Sequence, residues 1–473
     1  MQKDPYSSFS SLRINHWERV YSHARTRGGN YYHRWLARVY RFVIPEHSRV
    51  LELGCGTGDL LAALKPSRGV GIDFSPEAIR LARVQHPTLT FECMDAQQLD
   101  LAAEPFDFIV LSDLINDLWD VQQTLAQLKP YCHSRTRIVV NFYSRLWDFP
   151  MRLAQRLGLA TPLLTQNWLT IPDIRTIFNL SGIETLKNWS EFVVPIQFPG
   201  SDLLNRYIAK IAPFRWFSLT NIVIGRPMTD PTIHQPTCSI IVAARNESGH
   251  IDELFQRIPN LGGRAEIIFV EGNSQDDTYE AIERAIEAYP DRNSRLLKQP
   301  GKGKGDAVRT GFSVAKGDIL MILDADMTVL PEDLTRFYEA IATGKGEFIN
   351  GVRLVYPMEN EAMRFFNLVG NKFFAAAFTW LLGQPIRDTL CGTKVIWRTD
   401  YERLVANRAY FGDFDPFGDF DLLFGASKLN LKITELPIRY HSRRYGTTNI
   451  SRWSHGLLLL RMTIFAAKRI KFF

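Results

Sequence analysis

The sequence is poor in cysteine: Cys55, Cys93, Cys132, Cys238 and Cys391 are spread over 473 positions, and no two form a C-x-x-C pair. A zinc ribbon and a disulfide framework are both disfavoured, and a reducing cytosol is the expected compartment. Low-complexity tracts, heptad runs and internal repeats are missing too. The N-terminal stretch MQKDPYSSFSSLRINHWERV has no long apolar core, so no signal peptide is expected. Long apolar runs are also absent. Asn367, Asn371 and Lys372 interrupt the stretch 363–384, and Arg461 breaks HGLLLLRMTIFAAKRIKFF. A span needs about 20 apolar residues, so both stretches read as amphipathic, interfacial helices. Acids are missing from the end of the chain. Residues 436–473 contain Arg439, Arg443, Arg444, Arg452, Arg461, Lys468, Arg469 and Lys471 but no Asp or Glu, in a chain whose net charge is only +6. A basic end rich in Leu, Ile and Phe suits an anionic surface such as lipid headgroups or phosphates.

What is present is ordinary globular composition, 45% hydrophobic and 22% charged, at a length that predicts two or three domains. The proline-rich polar segment GRPMTDPTIHQPT separates the strand-like runs NIVIG and CSIIVAAR. Such a segment extends neither sheet nor helix. The expected organisation is one domain over 1–227, a linker over 228–237 and a second domain over 238–473. On each side, short β-branched runs alternate with helix-like stretches, which predicts an α/β sheet covered by helices, twice over.

In the first half an aromatic, Arg-rich prelude reads as helices. The strand RVLEL then leads into the loop GCGTG, placing Gly54, Gly56 and Gly58 after Glu52 at a strand-to-helix turn. Such a turn lets backbone N–H groups approach a ligand closely. A dinucleotide fingerprint would need glycine at 59, where this chain has Asp59. The loop therefore suits a cofactor without a pyrophosphate. Asp73 ends the next strand, where a carboxylate can accept both ribose hydroxyls, and Asp95 follows the third, where it could bond an adenine amino group. With VLELGCGTGDLL, GVGIDFSPEAI and MDAQQL followed by FDFIVLSDLI, residues 15–227 resemble the class I S-adenosylmethionine-dependent methyltransferases. The resemblance implies a seven-stranded Rossmann-like sheet. It puts Gly54, Gly56 and Gly58 under the methionine and ribose, Glu52 near the amino acid moiety, Asp73 on the ribose and Asp95 on the adenine. No motif marks the methyl acceptor, and no acid or base stands out between 144 and 220.

In the second half the apolar run ILMIL predicts a buried strand whose end delivers Asp324 and Asp326 to the crevice where open α/β sheets bind ligands. Residues i and i+2 of an extended segment share a face, and two like charges so placed need a compensating cation. Mg²⁺ or Mn²⁺ bridging phosphate oxygens would supply it. The loop GKGKGDAVRTGF lacks the G-x-x-x-x-G-K-[ST] order of a Walker cradle. Together with VAARNES, VEGNSQDDT, DTLCGTKVIWR and ELPIRYHSRRYGTT, these stretches resemble the family 2 glycosyltransferases of GT-A fold, in the flavour of the polyprenyl-phosphate sugar transferases. The resemblance implies that Ala244, Asn246, Glu247 and Glu271 line the nucleotide pocket. Lys304 and Asp306 would complete its nucleoside end, and Asp324 and Asp326 would hold metal and diphosphate. Asp388 and Gly392 would face sugar and acceptor, while Arg443 would clamp the donor phosphates. The sequence departs from the family pattern at Ala243, Gly272, Thr328 and Asn449. A hydroxyl acceptor would need a base, for which Asp419 and Asp421 are the candidates; a polyprenyl phosphate, already anionic, would not.

The expectation is thus a bifunctional transferase using S-adenosylmethionine and Mg²⁺ or Mn²⁺. It would act on a nucleotide sugar and a polyprenyl phosphate or glycan, in the cytoplasm and peripherally on the cytosolic membrane face, with no nucleic-acid partner. The rival expectation keeps the glycosyltransferase and makes the first half a non-catalytic cofactor-binding or scaffold domain.

Overall fold

The computed structural model describes residues 5–23, 31–157, 164–228, 235–263, 265–353, 355–356, 365–410, 418–441 and 452–473. The chain forms two compact units, Met1–Met228 with Phe472–Phe473, and Thr229–Lys471.

The first unit has seven strands: β1 Arg49–Leu53, β2 Arg68–Asp73, β3 Thr90–Cys93, β4 Phe106–Ser112, β5 Cys132–Tyr143, β6 Ile183–Glu191 and β7 Thr220–Pro227. Their order is β3-β2-β1-β4-β5-β7-β6. β1 to β5 are parallel, and β7 runs antiparallel between β5 and β6. Alternation along each strand builds two cores. Val50, Val110 and Val139 face one side with Tyr40 and Phe192; Leu51, Leu53, Ile109 and Val140 face the other with Ile174 and Phe178. Because the first five strands are parallel, their C-terminal ends share one edge of the sheet, where the glycine turn lies.

The second unit has seven more: β8 Cys238–Ala244, β9 Glu266–Glu271, β10 Ser294–Lys298, β11 Ile319–Asp324, β12 Phe348–Val352, β13 Lys394–Trp397 and β14 Ile433–Pro437. They are ordered β10-β9-β8-β11-β13-β12-β14, with β13 antiparallel to both its neighbours. The ILMIL run is the centre of this sheet. Ile319 to Leu323 are each at most 1% exposed, and side chains of this size contribute roughly 1.5–3 kcal/mol each when fully buried.

The two apolar stretches are helices, Phe365–Leu382 and Arg452–Ala466. Among the described residues no helix is long and apolar enough to cross a membrane. The first buries Phe374, Phe378, Leu381 and Leu382, with Phe378 stacked 5.3 Å from Phe424, and turns Lys372 and Phe373 outward. The second buries Leu459, Met462 and Ala466 but exposes Leu457, Leu460 and Ile464 beside Arg461. Its outward face is therefore apolar and basic together.

Candidate active sites

In the first unit the turn after β1 folds over the end of β2. Gly54, Gly56 and Gly58 all have positive φ, at 70°, 52° and 78°, a region that side chains with a Cβ seldom adopt. The Gly54 and Cys55 N–H groups donate to the Ile72 carbonyl, and the Gly56 N–H donates to Asp73 Oδ2 at 2.9 Å. Asp73 Oδ1 accepts from the Ser75 N–H at 2.9 Å. Burial nevertheless raises the Asp73 carboxyl above its ordinary range against these two donors. Glu52 is buried one strand position before the turn, and its Oε2 has no hydrogen-bond partner. Burial, opposed by a hydrogen bond from the Leu61 backbone and reinforced by the charge of Asp73, pushes it up to about 8.

Helix Pro5–His23 lies across this edge. The Tyr6 hydroxyl donates to Asp95, whose Oδ1 also accepts the Gln97 N–H. Tyr21 is packed against the glycine turn, where a Cβ at Gly56 would come within 2.8 Å of its hydroxyl. Trp17 stacks on Tyr21, and both Trp17 and Arg13 bond Asp117. The structure thus brings Glu52, Asp73 and the three glycines to one place, and holds Asp95 under the N-terminal helix.

Sequence reading missed Asp113. It follows β4 with φ 54° and accepts from the Tyr32 hydroxyl at 2.8 Å and from the Asn141 amide. Thr220 and Tyr40 extend this network. Burial raises the Asp113 carboxyl above its usual range despite these donors and the nearby His33. The available signal was an acid directly after a buried strand, in VLSDL.

In the second unit parallel pairing aligns the ends of β11, β8 and β9. Asp324 lies beside Ala243, and Ala244 beside Glu271. The turns after β8 and β9 are stitched together. The Gly272 N–H donates to the Ala244 carbonyl, the Asn246 N–H to Ser274 Oγ and the Gln275 N–H to Asn246 Oδ1. Asn246 holds φ 57°. Glu271 accepts the Ser274 N–H, while Glu247 is buried against His250 Nδ1 at 3.1 Å. Asp306 turns back onto its own loop, accepting the Gly301 N–H at 2.9 Å.

The cation that Asp324 requires is already in the chain: Lys304 forms an ion pair with it. Burial works against the charge on Asp324, but Lys304, with Lys394 and Arg353 beyond it, outweighs burial and keeps the carboxyl below its ordinary range. Lys304 thus stands on the side of the acid pair, whereas the family pattern led to an expectation at the nucleoside end. A Cβ at position 392 would collide with both the Asp324 carboxylate and the Lys304 ammonium, which explains glycine there. Asp326 has left the strand and accepts from the Thr328 N–H and hydroxyl at 3.2 and 2.7 Å. The two acids are therefore not on one extended face as alternation implied, because the chain turns at Ala325 and Asp326. Their all-oxygen donor set matches what a hard divalent ion takes. Among the described residues no group of three or more His, Cys, Asp or Glu is poised around such an ion.

Asp388 is fully buried. Arg353 grips it with Nε at 2.7 Å and Nη2 at 2.8 Å, and the Arg353 and Leu390 N–H groups also donate to it. Burial opposes its charge but Arg353 prevails and lowers it. The Asp388 carboxylate thus orients Arg353, a residue not singled out from the sequence. Asp421 is held by Arg408, Nε at 3.0 Å and Nη2 at 2.9 Å. Asp419 opens helix Asp419–Lys428, but its side chain lies outside the described residues. So does Arg443, with the whole segment 442–451.

The chain thus carries two seven-stranded α/β sheets, each with a candidate site at the C-terminal ends of its parallel strands. Residues 23–191 match the methyltransferase domain family profile and residues 239–404 the glycosyl transferase family 2 profile, so the chain joins a methyltransferase domain to a family 2 glycosyltransferase domain. Relatives include a dolichol-phosphate mannosyltransferase of Pyrococcus furiosus, 37% identical over 108 residues, covering 22% of this chain and 30% of that protein. Glycosyltransferase AglJ of Haloferax volcanii is 28% identical, covering 40% of this chain and 58% of its own. A polyprenol monophosphomannose synthase of Mycolicibacterium smegmatis is 26% identical, covering 47% of this chain and 84% of its own. The chain therefore spans less than two thirds of the first two relatives.

Proposed function

We propose that the second unit transfers a sugar from a nucleotide sugar to a polyprenyl phosphate or glycan, with inversion and with a divalent metal. The first unit methylates an unidentified acceptor, of which a glycan or lipid-linked sugar is one candidate, from S-adenosylmethionine. The observation that carries this reading is the meeting of Asp324, Lys304, Ala244 and Glu271 at the ends of three parallel strands. Names of relatives, the dolichol-phosphate mannosyltransferase and the polyprenol monophosphomannose synthase, support a polyprenyl phosphate acceptor.

Asn246, Glu247 and Glu271 frame the nucleoside with Asp306 closing the loop. Asp324 and Asp326 would hold Mg²⁺ or Mn²⁺, which supplies positive charge to a departing diphosphate. Lys304, paired with Asp324, and Arg353, paired with Asp388, would supply further positive charge to the departing group, and Arg443 is assigned to the donor phosphates. A polyprenyl phosphate is already an anion and needs no base. A hydroxyl acceptor would draw on Asp419 or Asp421, the latter already engaged by Arg408.

In the first unit S-adenosylmethionine supplies an electrophilic methyl group. The unpartnered oxygen of Glu52 fits its ammonium, Asp73 its ribose hydroxyls and Asp95 its adenine amino group, while Asp113 is suited to take the acceptor's proton. One observation favours a second reading, a non-catalytic scaffold: Tyr6 and Tyr21 already fill the space beside Asp95 and Gly56. Docking on the cytosolic membrane face belongs to this proposal and is supported by exposed Leu457, Leu460 and Ile464 on a basic helix.

The test pairs calorimetric titration of S-adenosylmethionine with incubation of labelled sugar nucleotides and polyprenyl phosphate, with and without chelator. Lipid-extractable label that disappears with chelator is expected. Metal-indifferent transfer would remove the metal from the scheme, and absent cofactor binding would favour the scaffold.

A further inference from the structure

The first unit carries a surface that its cofactor site does not use. Directly after β5 come a short turn, Arg145–Trp147, and helix Asp148–Arg156. The inner side of this segment, Trp147 and Met151, packs on the core. A surface helix ordinarily turns its polar side to water. Here Leu146, Phe149, Leu153 and Leu157, at helical spacing, form an outward stripe that is 47–76% exposed.

Against it stands a second element. The turn Phe214–Phe217 leads into β7, and the Trp147 indole N–H donates to the Phe217 carbonyl at 2.9 Å. Phe214, Trp216 and Phe217 are 50–60% exposed. Single exposed apolar residues are unremarkable, but a contiguous group of this kind marks an interaction surface.

Charge identifies the partner. Residues 145–157 and 211–217 hold Arg145, Arg152, Arg156 and Arg215, against one acid, Asp148, which is bonded to Arg152. Aromatic and aliphatic side chains at the tip with arginines around them match an interfacial element on acidic lipid. Position adds a reason. β7 is antiparallel to β5, with Tyr143 beside Thr220, so both elements emerge at the same sheet edge as Gly56, Asp73 and Asp113.

We propose that this face docks the methyltransferase unit on an anionic lipid bilayer, through contacts separate from the basic C-terminal helix. The experiment measures partition of the full chain onto phosphatidylcholine vesicles with and without phosphatidylglycerol. To remove the other contact, it uses a chain carrying Leu457→Ser, Leu460→Ser and Ile464→Ser. This chain is expected to keep binding the acidic vesicles, and adding Phe149→Ser, Leu153→Ser, Phe214→Ser and Trp216→Ser is expected to weaken binding at least about tenfold. S-adenosylmethionine affinity serves as the control for folding. If the combined variant unfolds, Arg152→Glu with Arg215→Glu is read the same way. Binding unchanged by these substitutions would overturn the proposal. So would loss of all binding on altering the C-terminal helix alone, or a change in oligomeric state instead of vesicle binding.

Discussion

Selected acids at the two candidate sites sit in contrasting electrostatic settings. In the first unit Glu52 and Asp73 are buried and Asp113 half-buried, and desolvation raises all three carboxyls. In the second, Asp324, Asp388 and Asp421 each face a lysine or arginine, and the first two are lowered. A site of under-compensated carboxylates is prepared for a cationic ligand, and S-adenosylmethionine carries both an ammonium and a sulfonium. Under the proposed reading, carboxylates already paired with fixed cations leave less uncompensated negative charge to repel a nucleotide diphosphate.

The sharpest way to break this contrast is to remove a cation from the second unit. Arg353→Ala leaves Asp388 buried and unpaired, and unfolding of that unit should become easier by about 3–5 kcal/mol. Chemical denaturation that shows no loss would mean Asp388 is not held by charge. Next in size, Asp324→Ala should lower sugar transfer by about 10²–10³-fold, judged from losses of comparable electrostatic groups. Cofactor titration of the first unit should be unchanged, and loss of both would show that the sites are not independent.

Glu52 tests the other side. Its folded value is about 8 against an ordinary 4.5. A carboxyl raised on folding contributes stability that is present below its unfolded value and is lost as pH rises through the folded one. The ligand-free first unit should therefore lose stability between about pH 4.5 and 8, by an amount of the order of a few kcal/mol. Glu52→Gln should flatten that slope and weaken S-adenosylmethionine binding, both readable from thermal unfolding across pH. A slope unchanged by the substitution would assign it to another group. The smallest effect is expected at Asp421, whose carboxylate already serves Arg408. Asp421→Asn should reduce transfer to polyprenyl phosphate by less than about tenfold, because an anionic acceptor needs no base; a larger loss with kcat alone affected would make it one.

Much of this was legible because it is local. A glycine turn after a strand, acids at successive strand ends and a buried run closing on Asp324 are patterns of neighbouring residues, and parallel strands bring such ends together by topology. Lys304, Arg353 and Arg408 were not legible as the partners of Asp324, Asp388 and Asp421. Nothing in the spacing of GKGKG or GVR says which distant acid each cation will meet. Tyr21 over Gly56 and Asp113 under Tyr32 escaped for the same reason, since an aromatic prelude reads as helix without saying where that helix lies.

The amino-acid order alone determined two α/β sheets, their order along the chain and the strand ends that carry acids, because periodicity and turn chemistry act over a few residues. Tertiary structure alone decided which of those acids received a counter-charge and which were left without one. Burial and ion pairing depend on side chains that meet only when separate elements pack.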